Sequence, residues 1–275
     1  MAAPDDRPID VFEFLNPLDT RTLAETFQSH RPTRHVCIDG LLKPEFARAV
    51  AAAYPSYEDA QKVGRQFDWV NEDVKVQITD AERFAEPVAK LHRVLSSPAF
   101  LDALSEISGI PKLLADPKLD GGGIQVMGPQ GHLDVHVDFN MNPARVMHRR
   151  LNLILYLSDG WQDDWGGEFE LWDPPVKRCL GVWTPRFNRA VLFNTTTESF
   201  HGVRGVACPP GITRNSFAGF YYTTDPPPDW DGEFHDTIYK PRPGEWWKGF
   251  VRMPVERVQR YTMRRLRRVK RALLD

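Results

Sequence analysis

From residue 124 to 224, Gly, Pro and Asn cut the chain into short apolar or alternating runs, and this segmentation most limits what it can fold into. The runs fall at 124–127, 132–138, 151–157, 167–172, 179–183, 189–194, 201–206 and 214–223. None reaches the length of an average globular helix, about 11–12 residues. Eight such runs, at a spacing of roughly 10–15 residues with turn formers between them, predict an antiparallel sandwich or jelly-roll barrel.

The first 120 residues read differently. Apolar residues recur at helical spacing over 20–30, 45–53, 80–95 and 98–108; Phe84, Val88, Leu91 and Leu95, then Leu101, Leu104 and Ile107, mark the buried stripe. A strand at 35–39 interrupts them, and 116–123 is a turn cluster. Helices first and strands second make an α+β chain. The expected division is a helical region, 1–120, packed on a barrel core, 121–224, with a Pro/Trp-rich connector and a basic helix in 225–275, all within one compact domain.

With 41% hydrophobic and 26% charged residues, a disordered, collagenous or coiled-coil chain is excluded. The formal charge of −2 argues against a protein that coats nucleic acid or an anionic membrane, so no nucleic-acid partner is expected. That average hides a basic end: residues 252–275 carry nine Lys and Arg against Glu256 and Asp275, a net +7. From Pro254 on, Val255, Val258, Thr262, Leu266, Val269 and Leu273 recur every three or four residues, which predicts an amphipathic helix with its arginines outward. The pattern does not choose among closure of the domain, an anionic ligand, an anionic lipid surface and a dimer contact, and it leaves the oligomeric state open. Cys37, Cys179 and Cys208 lie far apart with no CxxC pair, so neither a disulfide framework nor a thiolate zinc site is expected. An acidic start and the lack of any run near the ~20 apolar residues of a membrane span point to a cytoplasmic protein with no transmembrane segment.

The segment richest in chemistry is Gly131-His132-Leu133-Asp134-Val135-His136-Val137-Asp138. Strand alternation places its two His and two Asp on one face, a costly concentration of polar groups inside a barrel unless they hold something. Imidazole with carboxylate is the ligand set of Fe(II), Mn(II) or Zn(II). The sequence holds two His-x-Asp frames, His132/Asp134, which opens in the incoming turn, and His136/Asp138, at the strand end, and the residues alone leave both open. A facial triad needs one more histidine from a distant strand, and His201, after the polar loop 194–199, supplies it. Thirteen residues on, Arg214 enters another strand, with the Ser216 hydroxyl two residues later on the same face. A planar guanidinium there suits bidentate capture of a carboxylate.

This ordered set resembles the Fe(II)- and 2-oxoglutarate-dependent oxygenases, in particular their prolyl-4-hydroxylase-like branch. The landmarks between agree: 149–157 (RRLNLILYL), 165–172 (WGGEFELW) and 189–193 (RAVLF), the likeness covering about 121–224. The resemblance implies a double-stranded β-helix, cupin-like, with Fe(II), 2-oxoglutarate and O2 as cofactor and co-substrates. It implies His136, Asp138 and His201 as iron ligands, Arg214 with Ser216 on the distal carboxylate of 2-oxoglutarate, and the Tyr156 phenol on the same co-substrate. One departure is Met127, where prolyl hydroxylases usually carry a Tyr; Asn152 or Gln125 is expected to make up the lost hydrogen bond. The implied reaction is a hydroxylation of a small-molecule, amino-acid or peptidyl C–H with release of succinate and CO2. Substrate contacts are expected from the helical region and from the barrel-mouth loops, with Asn140, Asn142, Arg145, Arg149, Trp161, Trp165 and Trp172 as candidates. His148 and His235 read as surface or supporting histidines. Two other classes fit a jelly roll: a cupin-like metal enzyme that does not use 2-oxoglutarate, and a non-catalytic binding module. Arg214 and Tyr156 separate the first of these from the oxygenase, provided both face the metal pocket.

Overall fold

The computed structural model describes residues 9–245 and 247–254. In chain order the elements are α1 (Thr20–Ser29), β1 (His35–Asp39), α2 (Pro44–Ala52), α3 (Tyr57–Val63), β2 (Arg65–Trp69), β3 (Glu72–Ile78), α4 (Glu86–Leu95), α5 (Pro98–Ser108), β4 (Leu114–Ala115), β5 (Gly123–Val137), β6 (His148–Tyr156), β7 (Phe169–Trp172), β8 (Cys179–Trp183), β9 (Arg189–Asn194), β10 (His201–Val203), β11 (Arg214–Thr223) and β12 (Ile238–Tyr239). The expected basic helix falls outside the described residues, apart from its first residue, Pro254.

The strands join one antiparallel, curled sheet with the path β1-β9-β6-β11-β5-β10-β7-β8. Strand β5 lies at the centre of that path. Its first half pairs with β11, through Gln125 and Ser216, and its second half pairs with β10, through His136 and His201. Both halves pair with β3 on the other edge. Between them the strand bulges: Asp73 faces His132 and Lys75 faces Met127, so Val74 alone stands opposite residues 128–131. The bend needs left-handed backbone at Gln130, φ 71°, and at Val74, φ 47°. It also needs Gly131, where a Cβ would collide with Met127 Cγ and the Gly128 carbonyl oxygen.

Alternation along the strands separates two environments. Leu151, Leu153 and Leu155 of β6 and Phe217 and Tyr221 of β11 pack on Val88, Leu91, Val94, Leu95, Phe100, Leu104 and Ile107 of α4 and α5. The Tyr221 hydroxyl also donates to the Leu95 carbonyl at 3.2 Å. The intervening residues, among them Asn152, Tyr156, Arg214 and Ser216, face the barrel interior. The helical layer is therefore what allows the inner face of the same strands to be polar.

Local chemistry explains where the elements begin. Asp19 caps α1 by accepting from Thr22 N, Ser97 caps α5 by accepting from Phe100 N, and Gly109 ends α5 at φ 70°. The helix expected over 80–95 is shorter: Pro87 lacks a donor and is tolerated only in a first turn, so α4 starts at Glu86 after a 3-10 turn at Ala81–Arg83. Two further elements of the N-terminal region were not expected, α3 and the β2–β3 hairpin. The hairpin is rich in Gln, Asp, Glu and Lys because its inner face lines a polar cavity.

Leu153 is fully buried between sheet and helices. Leu153→Ala is expected to cost about 2–5 kcal/mol, seen as a lower urea midpoint with an unchanged slope.

Candidate active site

The barrel encloses a cavity of about 890 Å³. His136, near the end of β5, and His201, at the start of β10, are register partners, with ring centroids 4.3 Å apart. Asp138 follows β5 directly and places its two carboxylate oxygens 3.5 Å from His136 Nε2 and 3.3 Å from His201 Nε2. The three ligand atoms lie within 4.8 Å of one another. Each imidazole is oriented through Nδ1, which can only donate to the carbonyl it meets: Asp134 O at 2.8 Å for His136 and Ser199 O at 2.9 Å for His201. Both Nε2 lone pairs are thus left for a metal. Burial, reinforced by His136, lowers the pKa of His201 against the pull of Asp138, which favours the neutral, ligating form.

Asp138 is held from behind. The Asn152 amide donates to Asp138 Oδ2 at 2.8 Å, Arg149 Nη2 lies 3.1 Å from the same oxygen, and Arg149 Nε donates to Asn152 Oδ1 at 2.8 Å. The guanidinium stacks on Phe220, 3.5 Å from the ring centroid, with Phe139 at 4.6 Å. Burial opposes the charge of Asp138, but Arg149, His201 and His136 outweigh it and hold the carboxyl well below its usual range. Asn152, expected on the co-substrate, spends its amide on Asp138 instead. Arg149, expected at the rim for substrate, is buried as the second arm of that clamp. Strict alternation would face Arg149 with Leu151 toward the helices. A register shift, with Tyr221 opposite Leu151 but Tyr222 opposite Arg149, turns it inward.

A second polar group sits on β11 and β6. Arg214 is buried, and its Nε donates to the Gly167 carbonyl at 2.6 Å. Gly167, at φ 70°, brings that carbonyl close; a Cβ there would stand 2.9 Å from Arg214 Cδ. Arg214 Nη2, the Tyr156 hydroxyl and the Ser216 hydroxyl are all buried without an adequate hydrogen-bond partner. Ser216 and Tyr156 are register partners, and the Arg214 guanidinium lies 5.0 Å from the Tyr156 ring. Burial pushes the Tyr156 phenol up to about 12 and lowers Arg214 from its ordinary value. Three unsatisfied groups of this kind, two hydroxyls and a guanidinium, match what a bound carboxylate accepts from.

Arg214, Gln125 and Asn152 line the same cavity as the triad, together with Phe67, Glu72, Lys75 and Gln77 of the hairpin. Gln125 donates to the Gly121 carbonyl at 3.3 Å. Met127 is packed against Val203, Val206 and Cys208, between Lys75 and Arg214 in register. Glu72 and Lys75 form a buried ion pair at 2.6 Å, which the sequence pattern does not single out.

The two His-x-Asp frames do not share a face as alternation predicts. Between His136/His201 and Leu133/Val203 the β5–β10 register shifts, so three residues of β5 match two of β10. Leu133 and His136 both reach the cavity, while His132 and Asp134 turn outward toward Arg242 and Lys248. Asn140, Asn142, Arg145, Trp161, Trp165 and Trp172 do not line the cavity among the described residues. Asn140 and Asn142 hold loop backbone, Arg145 stacks on Phe234, Trp161 donates to Gly166 O and packs on Trp165, and Trp172 donates to Glu170. His148 and His235 stand outside the triad; His148 packs edge-on against Trp230.

A jelly-roll barrel in which two imidazoles and one carboxylate converge on an open cavity defines a non-haem metal centre of the facial-triad type. Residues 122–222 match the family model of the 2OG-Fe(II) oxygenase superfamily. The fold is shared with a Trichoplax adhaerens prolyl hydroxylase solved with a hypoxia inducible factor oxygen degradation domain peptide fragment. That likeness has a TM-score of 0.53 and 16% identity, over 74% of this chain and 88% of that one. A Pseudomonas putida prolyl-4-hydroxylase gives a TM-score of 0.50 and 17% identity, over 73% and 98%. No curated protein matches the chain. The chain is a 2-oxoglutarate-dependent non-haem iron oxygenase, with Fe(II) and 2-oxoglutarate as its cofactor and co-substrate. Among the described residues no helix is long and apolar enough to cross a membrane.

Arg149→Met keeps the volume and removes the clamp on Asp138. Divalent-metal affinity, measured by calorimetry with Mn(II), is expected to fall roughly 10- to 100-fold.

Proposed function

We propose that His136, Asp138 and His201 are the iron ligands, and that Arg214, Tyr156 and Ser216 bind the distal carboxylate of 2-oxoglutarate. The observation that carries this reading is the trio of buried, unsatisfied groups at Arg214, Tyr156 and Ser216 beside a cavity whose wall also holds the triad. When bound, iron and 2-oxoglutarate supply oxidative decarboxylation, with succinate and CO2 as products, coupled to hydroxylation of an unactivated substrate C–H.

The residues of the chain do the positioning. Asn152 and Arg149 fix the Asp138 carboxylate in its ionised, ligating form, and the Asp134 and Ser199 carbonyls fix the two imidazoles. Arg214 is held by Gly167 so that Nη2 stays free for the co-substrate. Tyr156, with its raised pKa, remains a hydrogen-bond donor at neutral pH. Phe139 and Phe220 stack on Arg149 beside the metal ligands and shield its contact with Asp138 from water.

The substrate is a small molecule, an amino acid or a peptidyl segment. The cavity has room for any of them beside the co-substrate, and the Trichoplax enzyme was solved with a peptide. The three cysteines are free, which supports action in a reducing compartment such as the cytoplasm. Arg214 lines the cavity and its guanidinium lies 5.0 Å from the Tyr156 ring, which supports the oxygenase reading over the cupin-like alternative.

Anaerobic Fe(II) titration with 2-oxoglutarate tests the assignment through the visible charge-transfer band of the chelate. The wild type is expected to show the band, His136→Ala to lose it, and Arg214→Ala to need roughly 30-fold more 2-oxoglutarate or beyond. A wild type that binds metal without the band would move the reading to a cupin-like metal enzyme, and an unchanged requirement in Arg214→Ala would remove that residue from the co-substrate site.

A further inference from the structure

The outward-facing His-x-Asp frame is not an idle repeat of the metal motif. Asp134 is fully buried, and its Oδ1 meets Lys248 Nζ at 2.7 Å and Arg242 Nη1 at 3.4 Å. On β7, Glu170 meets Arg242 Nε at 2.8 Å and Arg204 Nε at 2.5 Å. Arg242 Nη2 also donates to the Leu133 and Val203 carbonyls, each at 3.1 Å. One guanidinium therefore grips β5, β7 and β10, and two of these strands carry His136 and His201. Gly202, next to His201, makes the grip possible: a Cβ there would stand 2.9 Å from Arg242 Nη2 and 3.0 Å from the Leu133 carbonyl.

The segment anchored in this way runs back over the metal strand. The Lys240 amide donates to Val135 O at 2.8 Å, and Lys240 Nζ donates to Pro174 O at 2.7 Å. Strand β12 pairs Tyr239 with His136 and stacks the two rings at 5.3 Å and 35°. Asp236, Thr237, Ile238 and Tyr239, and further on Met253, form part of the cavity wall. The described residues of this segment, 236–245 and 247–253, are thus bolted on the outside of the barrel at Lys240, Arg242 and Lys248 and reach the site at 236–239 and Met253.

We propose that residues 236–245, pinned through Arg242 and by Lys248, form a strap that belongs to the active site, and that Arg242 is a positioning residue for the iron centre, acting through Tyr239 on His136. The proposal rests on the reading of His136 as an iron ligand. Burial of a carboxylate is costly unless it is paired. Glu170 has Arg204 as well as Arg242, whereas the lysine and arginine on Asp134, Lys248 and Arg242, both come from the segment that carries the strap. The ion pairs therefore tie the strap to the strands that bear the metal ligands, and the Tyr239 ring packs against the His136 ring.

The test uses the full chain with Arg242→Ala and, as the milder change that keeps the charge but loses the fork, Arg242→Lys. Hydrogen exchange at the Lys240 amide reports the strap, and anaerobic Fe(II) affinity, followed by the 2-oxoglutarate chelate band, reports the centre. The expected result for Arg242→Ala is exchange at Lys240 at least roughly tenfold faster and Fe(II) affinity roughly tenfold weaker, with Arg242→Lys between it and the wild type in both. A merely structural role would lower the thermal midpoint and leave the metal affinity of the folded protein unchanged, which overturns the proposal, as does unchanged exchange at Lys240. Should Arg242→Ala not fold, a wild-type Fe(II) affinity in folded Arg242→Lys with faster Lys240 exchange also overturns it. A wild type with no chelate band would instead defeat the assignment of the centre, an outcome separate from the exchange readout.

Discussion

The backbone of β5 has to satisfy its hydrogen bonds against two different sets of neighbours, and the rest of the site depends on how it does so. In its first half the strand is flanked by β3 and β11, and in its second by β3, β10 and β12. A regular strand would keep one face inward throughout. The bulge at 128–131 and the register shift between Leu133 and His136 instead rotate the strand in two steps. The first carries the chain from the row that holds Gln125 to the row that holds the metal histidine. The second sends Asp134 outward to its ion pairs while Leu133 and His136 stay inside. Gly131 and the left-handed Gln130 are the local concessions this geometry requires.

Charge then decides what can be placed inside. Asp138 lies next to two imidazoles and a guanidinium, so its ionised form is favoured in spite of burial. An unclamped carboxylate would gain several orientations, and each would take an oxygen away from the point where the two Nε2 atoms converge. Arg149 and Asn152 remove that freedom by contacting a single oxygen, Oδ2. The aromatic faces of Phe139 and Phe220 let the Arg149 charge be buried without a second carboxylate.

Much of this was legible in the sequence because it is carried by periodicity and by residue type. The eight runs between 124 and 223 became β5 through β11, with the first two runs fused. His136, Asp138 and His201 could be picked out since neither the chain position nor the residue type depends on tertiary detail. What could not be read were the consequences of bulges. Arg149 looked like a rim residue because it closes a loop at the barrel mouth, and His132 with Asp134 looked internal because alternation puts them on one face with His136 and Asp138. The β2–β3 hairpin escaped because it is short and mostly polar, and only the sheet shows that Val76 and Ile78 pack on the core while Lys75 and Gln77 look into the cavity. Trp161, Trp165 and Trp172 looked like a substrate rim by composition, yet their indoles close the loops and outer clusters around the barrel. Composition near a mouth says which residues are present, and only the direction of each strand says which of them look in.

The interior also carries a charge that the protein itself leaves uncompensated. Arg149 has Asp138, and Lys75 has Glu72 at 2.6 Å, but the buried Arg214 makes its one side-chain hydrogen bond to a neutral carbonyl. Burial depresses its pKa against the smaller pull of Tyr156 and Glu168. A guanidinium in that position costs free energy in the empty barrel and regains it only against an anion. The two hydroxyls beside it are strained in the same sense, since each has a donor with nothing to receive it. Arg214, Tyr156 and Ser216 are therefore better explained together than singly, and the proposed carboxylate site explains all three, while the apolar packing of β6 and β11 on α4 and α5 bears the cost of burying them.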